Sequence, residues 1–339
     1  MAKSLHLLIP GLLETARFDS PAPPIPVATL PALRWLLARA DPHPAPATTD
    51  ELLLSLFKLT IPADADLPVA ALTRLADGGA WDAGWWLRAD PVHLRPDLRG
   101  VFLADARTLA IEPVEAQALA AAFNQTFAED GLRLDALHPD RWYLRLEDNP
   151  GIHTYPLLEA VGRDITSRLP HGPNLRRWHP LLTEAQMLFH NHPVNRAREE
   201  RNQPLINGLW LWGGGVCPTG AQSPAAGLYG DDPLLRGLAR LANAVVTPVP
   251  EHAGDWLDSA KNESDSLVVL ETMRRDAVDG DFAAWTDHLA ELDYAWFRFC
   301  RRWLQTGTLT ALHLYPGNGQ VYSLTGAARW RFWRRFNAG

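Results

Sequence analysis

Leu5 to Leu13 is a nearly unbroken apolar run, the pattern of a strand covered on both faces, as in the parallel sheets of layered α/β proteins. Leu33, Leu36 and Leu37 then recur at helical spacing behind Pro31, which predicts a helix over 31–40. A second helix is predicted over 50–59, where leucines stand at 52, 53, 56 and 59. From about Gly78 the pattern changes to short strands (85–94, 101–104, 142–147) around a periodic helix over 112–128, the order of an α+β insert. A helix over 181–190 leads back. After Pro204 the α/β rhythm resumes: strands at 205–212, 245–249, 267–271 and 310–315, helices at 232–242 and 281–304. The chain thus reads as a discontinuous core, residues 1–77 and 202–339, with a lobe of residues 78–201 inserted.

Composition narrows the class. A net charge of −7 gives no overall attraction to polyanions, which argues against nucleic acid as a partner; the one basic candidate is the C-terminal RWRFWRRF, Arg329 to Phe336. The opening apolar run is too short to span a bilayer and lacks a cleavage-site pattern, so the expectation is a cytoplasmic protein that does not enter the membrane. Cys217 and Cys300 then read as reduced thiols. Fourteen tryptophans read mainly as core filler.

The segment HPVNRAREERNQPLINGLWLWGGG, His192 to Gly215, resembles a stretch of the archaeal-type cofactor-independent phosphoglycerate mutases of the alkaline phosphatase superfamily. His192, Pro193, Val194, Asn195, Arg198, Asn207, Trp210 and Trp212 carry the likeness. Three further segments resemble the family in the same order: Ala28 to Leu37, Gly230 to Asn243, and Val268 to Asp281. The resemblance extends to the bacterial RpfE-type regulatory group. It implies a three-layer alkaline-phosphatase-like α/β core with a parallel sheet, plus an inserted α+β lobe.

In that family, two divalent cations sit among Asp, Ser and His ligands. The positions here that match those ligands are Pro10, Arg274 and Val278, and His313 alone survives of the final Asp-His pair. A fixed guanidinium where a metal ligand belongs repels a cation. Thr49 falls at the position of the Ser nucleophile, but Thr49 and Asp50 also read as a helix N-cap. The sequence therefore predicts no bound metal and no cofactor. It predicts a non-catalytic regulatory or interaction protein with a protein partner, and an active mutase or phosphatase with a rearranged site is the alternative. A small anionic ligand between the lobes is the expected occupant of His192, Asn195, Arg198 and Arg274. The three glycines after Trp212 read either as an anion cradle or as a tight turn.

Overall fold

The computed structural model describes residues 3–14, 25–26, 29–62, 65–97, 100–261 and 263–334. Most of the Pro-rich stretch 20–26, as well as Ala28, Arg335 and Phe336, lies outside the described residues. The chain divides into two compact units, Met1–Thr60 with Gly220–Gly339, and Ile61–Thr219.

The first unit opens with β1 (Lys3–Leu8), α1 (Pro31–Arg39), β2 (Asp41–Pro44) and α2 (Thr49–Leu56). The second unit follows with α3 (Val69–Ala76), β3 (Trp85–Asp97), β4 (Gly100–Ala104), α4 (Ala106–Leu109), α5 (Pro113–Thr126), β5 (Arg133–His138) and β6 (Arg141–Leu146). It ends with α6 (Leu157–Ala160), α7 (Leu175–His190), α8 (Pro193–Glu200) and β7 (Gly208–Val216). The chain returns to the first unit through β8 (Gly227–Tyr229), α9 (Pro233–Leu241), β9 (Val246–Thr247), α10 (Ala253–Ser259) and β10 (Asp265–Val269). It finishes with α11 (Thr272–Asp279), α12 (Phe282–Leu292), α13 (Arg298–Thr306), β11 (Leu309–Tyr315) and β12 (Gln320–Thr325).

In the first unit, seven strands form one sheet in the order β2-β12-β11-β1-β10-β8-β9. The strands from β11 to β9 run parallel, whereas β12 and β2 close one edge antiparallel. The register pairs Leu7 of β1 with Val268 and Leu314, which turns one apolar stripe onto α1, α12 and α13. Leu5, Leu7, Leu33, Leu36, Trp285 and Leu289 are fully buried there. On the other face α2 packs against α9, whose Leu235 lies beside Gly230 and Val269. Two helical layers therefore enclose the sheet, as the fold class requires.

β1 stops at Leu8, five residues before the end of its apolar run, because Pro10 has no ladder donor and Gly11 turns the chain at φ 84°. A Cβ on Gly11 would stand 2.7 Å from the Met273 carbonyl oxygen, so the turn packs against the start of α11.

The second unit is an antiparallel sheet, β4-β3-β6-β5, with β7 also paired to the long β3. Leu119, Phe123, Trp142, Leu144 and Phe189 fill its core. The unit boundaries differ from the sequence reading. Residues 61–77 and 202–219, read there as core, belong here, because α3 packs on β3 and β7 and β7 takes its hydrogen bonds from β3.

The glycines after Trp212 are neither an anion cradle nor a terminal turn, since β7 runs through them to Val216. A Cβ would meet Val69 at 3.0 Å from Gly213, Leu87 at 2.8 Å from Gly214 and Pro68 at 2.7 Å from Gly215. Gly213 and Gly215 are small so that α3 and its entry can lie directly on the strand, and Gly214 makes room for the Leu87 side chain of β3. Trp86, Trp142, Trp256 and Trp285 are core as expected, whereas Trp81, Trp330 and Trp333 are exposed. Cys217 and Cys300 are both buried and unpaired.

Candidate functional site

In the first unit the chain leaves β1, β8, β10 and β11 at the same end of the parallel sheet. Loops at the carboxyl ends of parallel strands are where such sheets gather chemistry. Here they gather charge. Asp50 lies in the first turn of α2, Asp232 is the N-cap of α9, Glu271 follows β10, and Arg274 is in the first turn of α11. Helix N-termini favour carboxylates, which explains Asp50 and Asp232. The same dipole disfavours Arg274, and the carboxylates around it offset that.

The Arg274 guanidinium stands 3.6 Å from Asp50 Oδ1 through Nη2 and 3.4 Å from Glu271 Oε2 through Nη1. Burial alone lowers its pKa, but Glu271, Asp50 and Asp232 together raise it above the ordinary arginine value. Asp232 is held by the Leu235 N–H at 2.8 Å, yet burial first, then Glu271, push its carboxyl up to about 7, with Arg274 pulling the other way. One guanidinium among three carboxylates is thus a built-in cation, and it is nearly enclosed: its side chain is 21% exposed.

The two divalent cations that the resemblance implies do not fit this residue set. Arg274 occupies the middle of the carboxylates with a fixed positive charge, and among the described residues no three His, Cys, Asp or Glu side chains are placed to hold a metal ion. Glu271 Oε1 is buried without a hydrogen-bond partner, but one oxygen beside a guanidinium is no seat for a divalent ion.

Pro10 and Thr49 both border Gly317, within 3.5 Å of where its Cβ would be, so these two predicted positions do lie together. Thr49 is not the helix cap. Thr48 is, through a capping box with Glu51, and Thr49 is a buried first-turn residue. His313 lies within β11, away from that strand end; its ring stacks on His6 at 4.6 Å and its Nδ1 meets the Ser323 hydroxyl at 2.9 Å. Val278 lies one turn beyond Arg274 on α11. Sequence reasoning missed Asp232 and Glu271 as members of the cluster. Their only signal was position, each directly after a buried strand.

His192, Asn195 and Arg198, the expected ligand set, make local contacts in the second unit. His192 caps α8 by accepting the Val194 N–H at Nδ1, 3.2 Å. Asn195 is buried, donates to the carbonyls of Phe189 and Ile206 at 2.8 Å each, and accepts the Ile206 N–H at 2.9 Å. Arg198 is fully buried and donates to Glu115 at 2.5 Å, to the Pro204 carbonyl at 2.8 Å and to the Leu109 carbonyl. Asn207 bridges both backbone groups of Leu94, and the Trp210 and Trp212 indoles donate to the Tyr155 carbonyl and to Asp90. Asn195, Arg198 and Asn207 thus spend their hydrogen bonds on backbone or on a buried partner, so these residues of the motif fasten the second unit. Arg274 lies apart from these residues in the first unit, beside the carboxylates of Asp50 and Glu271.

No protein-family model matches the chain. It is 27% identical over 188 residues, 54% of its length, to a probable 2,3-bisphosphoglycerate-independent phosphoglycerate mutase of Geobacter sulfurreducens. It is 32% identical over 104 residues, 29% of its length, to the 2,3-bisphosphoglycerate-independent phosphoglycerate mutase of Methanothrix thermoacetophila. These matches span 46% and 26% of the relatives' own lengths, less than half of either. Among solved structures, the cofactor-independent phosphoglycerate mutase of Thermoplasma acidophilum superposes with a TM-score of 0.53 at 16% identity, covering 99% of this chain and 93% of that one. A Pyrococcus horikoshii protein gives 0.58 at 15% identity, covering 99% and 91%. The chain is therefore similar to the cofactor-independent phosphoglycerate mutases in sequence over about half its length, and in fold over nearly all of it.

Proposed function

We propose that this protein is a non-catalytic member of the phosphoglycerate mutase lineage, of the RpfE-type regulatory kind, acting in the cytoplasm through a protein partner. The observation that carries the reading is Arg274 among Asp50, Asp232 and Glu271. A side-chain cation takes the electrostatic role that bound ions have in an active bimetallic site. It neutralises the clustered carboxylates, but it has no exchangeable coordination position and cannot polarise a phosphoryl oxygen as a Lewis acid. Thr49 is a buried hydroxyl, and a threonine hydroxyl without an activating metal or a positioned base is a poor nucleophile.

The Asp50 and Glu271 carboxylates, within 3.6 and 3.4 Å of the guanidinium, also argue against an anionic ligand at this strand end. The test is turnover. The purified protein, assayed for interconversion of phosphoglycerate isomers with manganese, zinc or magnesium added, is expected to give no metal-stimulated rate above buffer. Metal-stimulated turnover abolished by Thr49→Ala would favour the alternative of a rearranged active site and end the non-catalytic reading.

A further inference from the structure

The acidic balance of the whole chain hides a concentrated basic surface in the first unit. Trp35 of α1 carries two guanidinium groups on its ring, Arg39 at 4.7 Å and Arg301 at 5.6 Å. Arg298 and Arg302 from α13 join Arg301 along a cavity of about 450 Å³. The turn after β12 folds back onto the same place. Arg329 donates to the Gln305 carbonyl at 3.2 Å, Arg331 to the Arg39 carbonyl at 2.8 Å and Arg334 to the Ala40 carbonyl at 3.2 Å.

Nearby acids offset only part of this charge, Asp293 being the one carboxylate along the cavity among the described residues. Asp41 is taken by Arg331 and Arg334 at 2.7 and 2.8 Å, and Asp293 accepts the Ala32 and Leu33 N–H groups at 3.3 and 2.6 Å. Among the described residues, Arg39, Arg298, Arg301 and Arg302 form no ion pair, and Arg39 Nε is buried without a hydrogen-bond partner. Burial, then the neighbouring Arg301, lower the Arg39 pKa, the mark of cations held together without a counterion. The helix dipole accounts for one cation in the last turn of α1, not for four on adjoining elements.

Large aromatic side chains stand exposed beside these arginines: Tyr294 at 60%, Trp330 at 64%, Phe332 at 76% and Trp333 at 66%. Arg298 already lies over Tyr294 at 3.5 Å, and Arg329 over Trp330 at 5.0 Å.

We infer that this surface binds single-stranded nucleic acid, its unpaired arginines taking phosphates and Trp330, Phe332 and Trp333 stacking on bases. Guanidinium groups in excess over carboxylates supply the backbone attraction. Exposed flat rings supply what an acidic peptide or a lipid headgroup does not need, a platform for bases. The inference goes beyond the proposed function and does not depend on the state of the Arg274 cluster.

The test uses the full-length protein and a fluorescein-labelled single-stranded oligo(U) of about 12 nucleotides, read by anisotropy across a salt series. Binding is expected at low salt, with affinity falling linearly on a log–log salt plot. Arg301→Ala with Arg302→Ala should weaken binding about tenfold and reduce the slope by about 1 to 2. Trp330→Ala with Trp333→Ala should weaken it about tenfold and leave the slope unchanged. If either pair unfolds the protein, Arg298→Glu, at an exposed position, replaces it. No binding at low salt, binding indifferent to all these changes, or capture of polyglutamate or phosphatidylserine vesicles in preference to oligo(U) overturns the inference.

Discussion

Asp232 shows how a single carboxyl reports on the state of the cluster. Its folded-state pKa, about 7, lies above the ordinary carboxylate value of about 3.9. The fold therefore prefers the protonated acid. That contribution to stability is complete below pH ~4 and is lost as pH rises through 7. Asp232→Asn keeps an acceptor for the Leu235 N–H but never ionises. It should be more stable than wild type by about 2 kcal/mol at pH 8, a difference that shrinks to nothing near pH 4. Urea denaturation at both pH values measures this, and a variant less stable than wild type at pH 8 would show that the ionised carboxylate is needed to hold Arg274. Arg198 belongs to the opposite class, a cation whose donors are all spent on structure. Arg198→Ala leaves two carbonyls without their donor and Glu115 with Arg201 as its remaining cation, so a loss of about 2–4 kcal/mol is expected. Arg198→Lys should recover little of it, because an ammonium cannot reach three acceptors in a fork. Near-wild-type stability of Arg198→Ala in the same urea assay would reopen the ligand role.

At the scale of elements, the long helix expected over 281–304 is interrupted. A π-helical turn, Asp293–Phe297, separates α12 from α13. Such a turn inserts one residue and rotates the helical segment beyond it. Here its first residue faces α1, whose own N-cap, Leu30, offers no side-chain acceptor. The Asp293 carboxylate takes the Ala32 and Leu33 N–H groups instead, a cap supplied from another helix. Asp293→Ala should therefore cost about 1–2 kcal/mol and speed hydrogen exchange at the amides of Ala32 and Leu33 before other α1 amides. Unchanged exchange there would mean that the cap contributes nothing.

Across the whole molecule, the legibility of an element in the sequence depends on how many of its faces are buried. β1, β10 and β11 are rich in buried apolar residues because helices cover the sheet on both sides, and they are readable to within a few residues. β2 is Asp-Pro-His-Pro on an exposed edge, and nothing in its composition announces a strand. β12 escapes notice for the same reason, so the antiparallel edge of the sheet is absent from the sequence pattern. The second unit claims α3 and β7 through strand pairing that no local pattern encodes. The site is half legible. Asp50 and Arg274 stand out against a related pattern, whereas Asp232 and Glu271 meet them only because parallel strands end together. The backbone contacts of His192, Asn195 and Arg198 are not legible, because a polar side chain aimed at backbone looks the same in sequence as one aimed at a ligand.

The central claim is that a guanidinium stands in for metal at the carboxyl end of this sheet. Its most direct test is the stoichiometry of manganese retained by the purified protein after dialysis against the metal and gel filtration, read by elemental analysis. No stoichiometric manganese is expected to remain bound. Two ions per chain, lost when Asp50 and Asp232 are changed together to Asn, would contradict it.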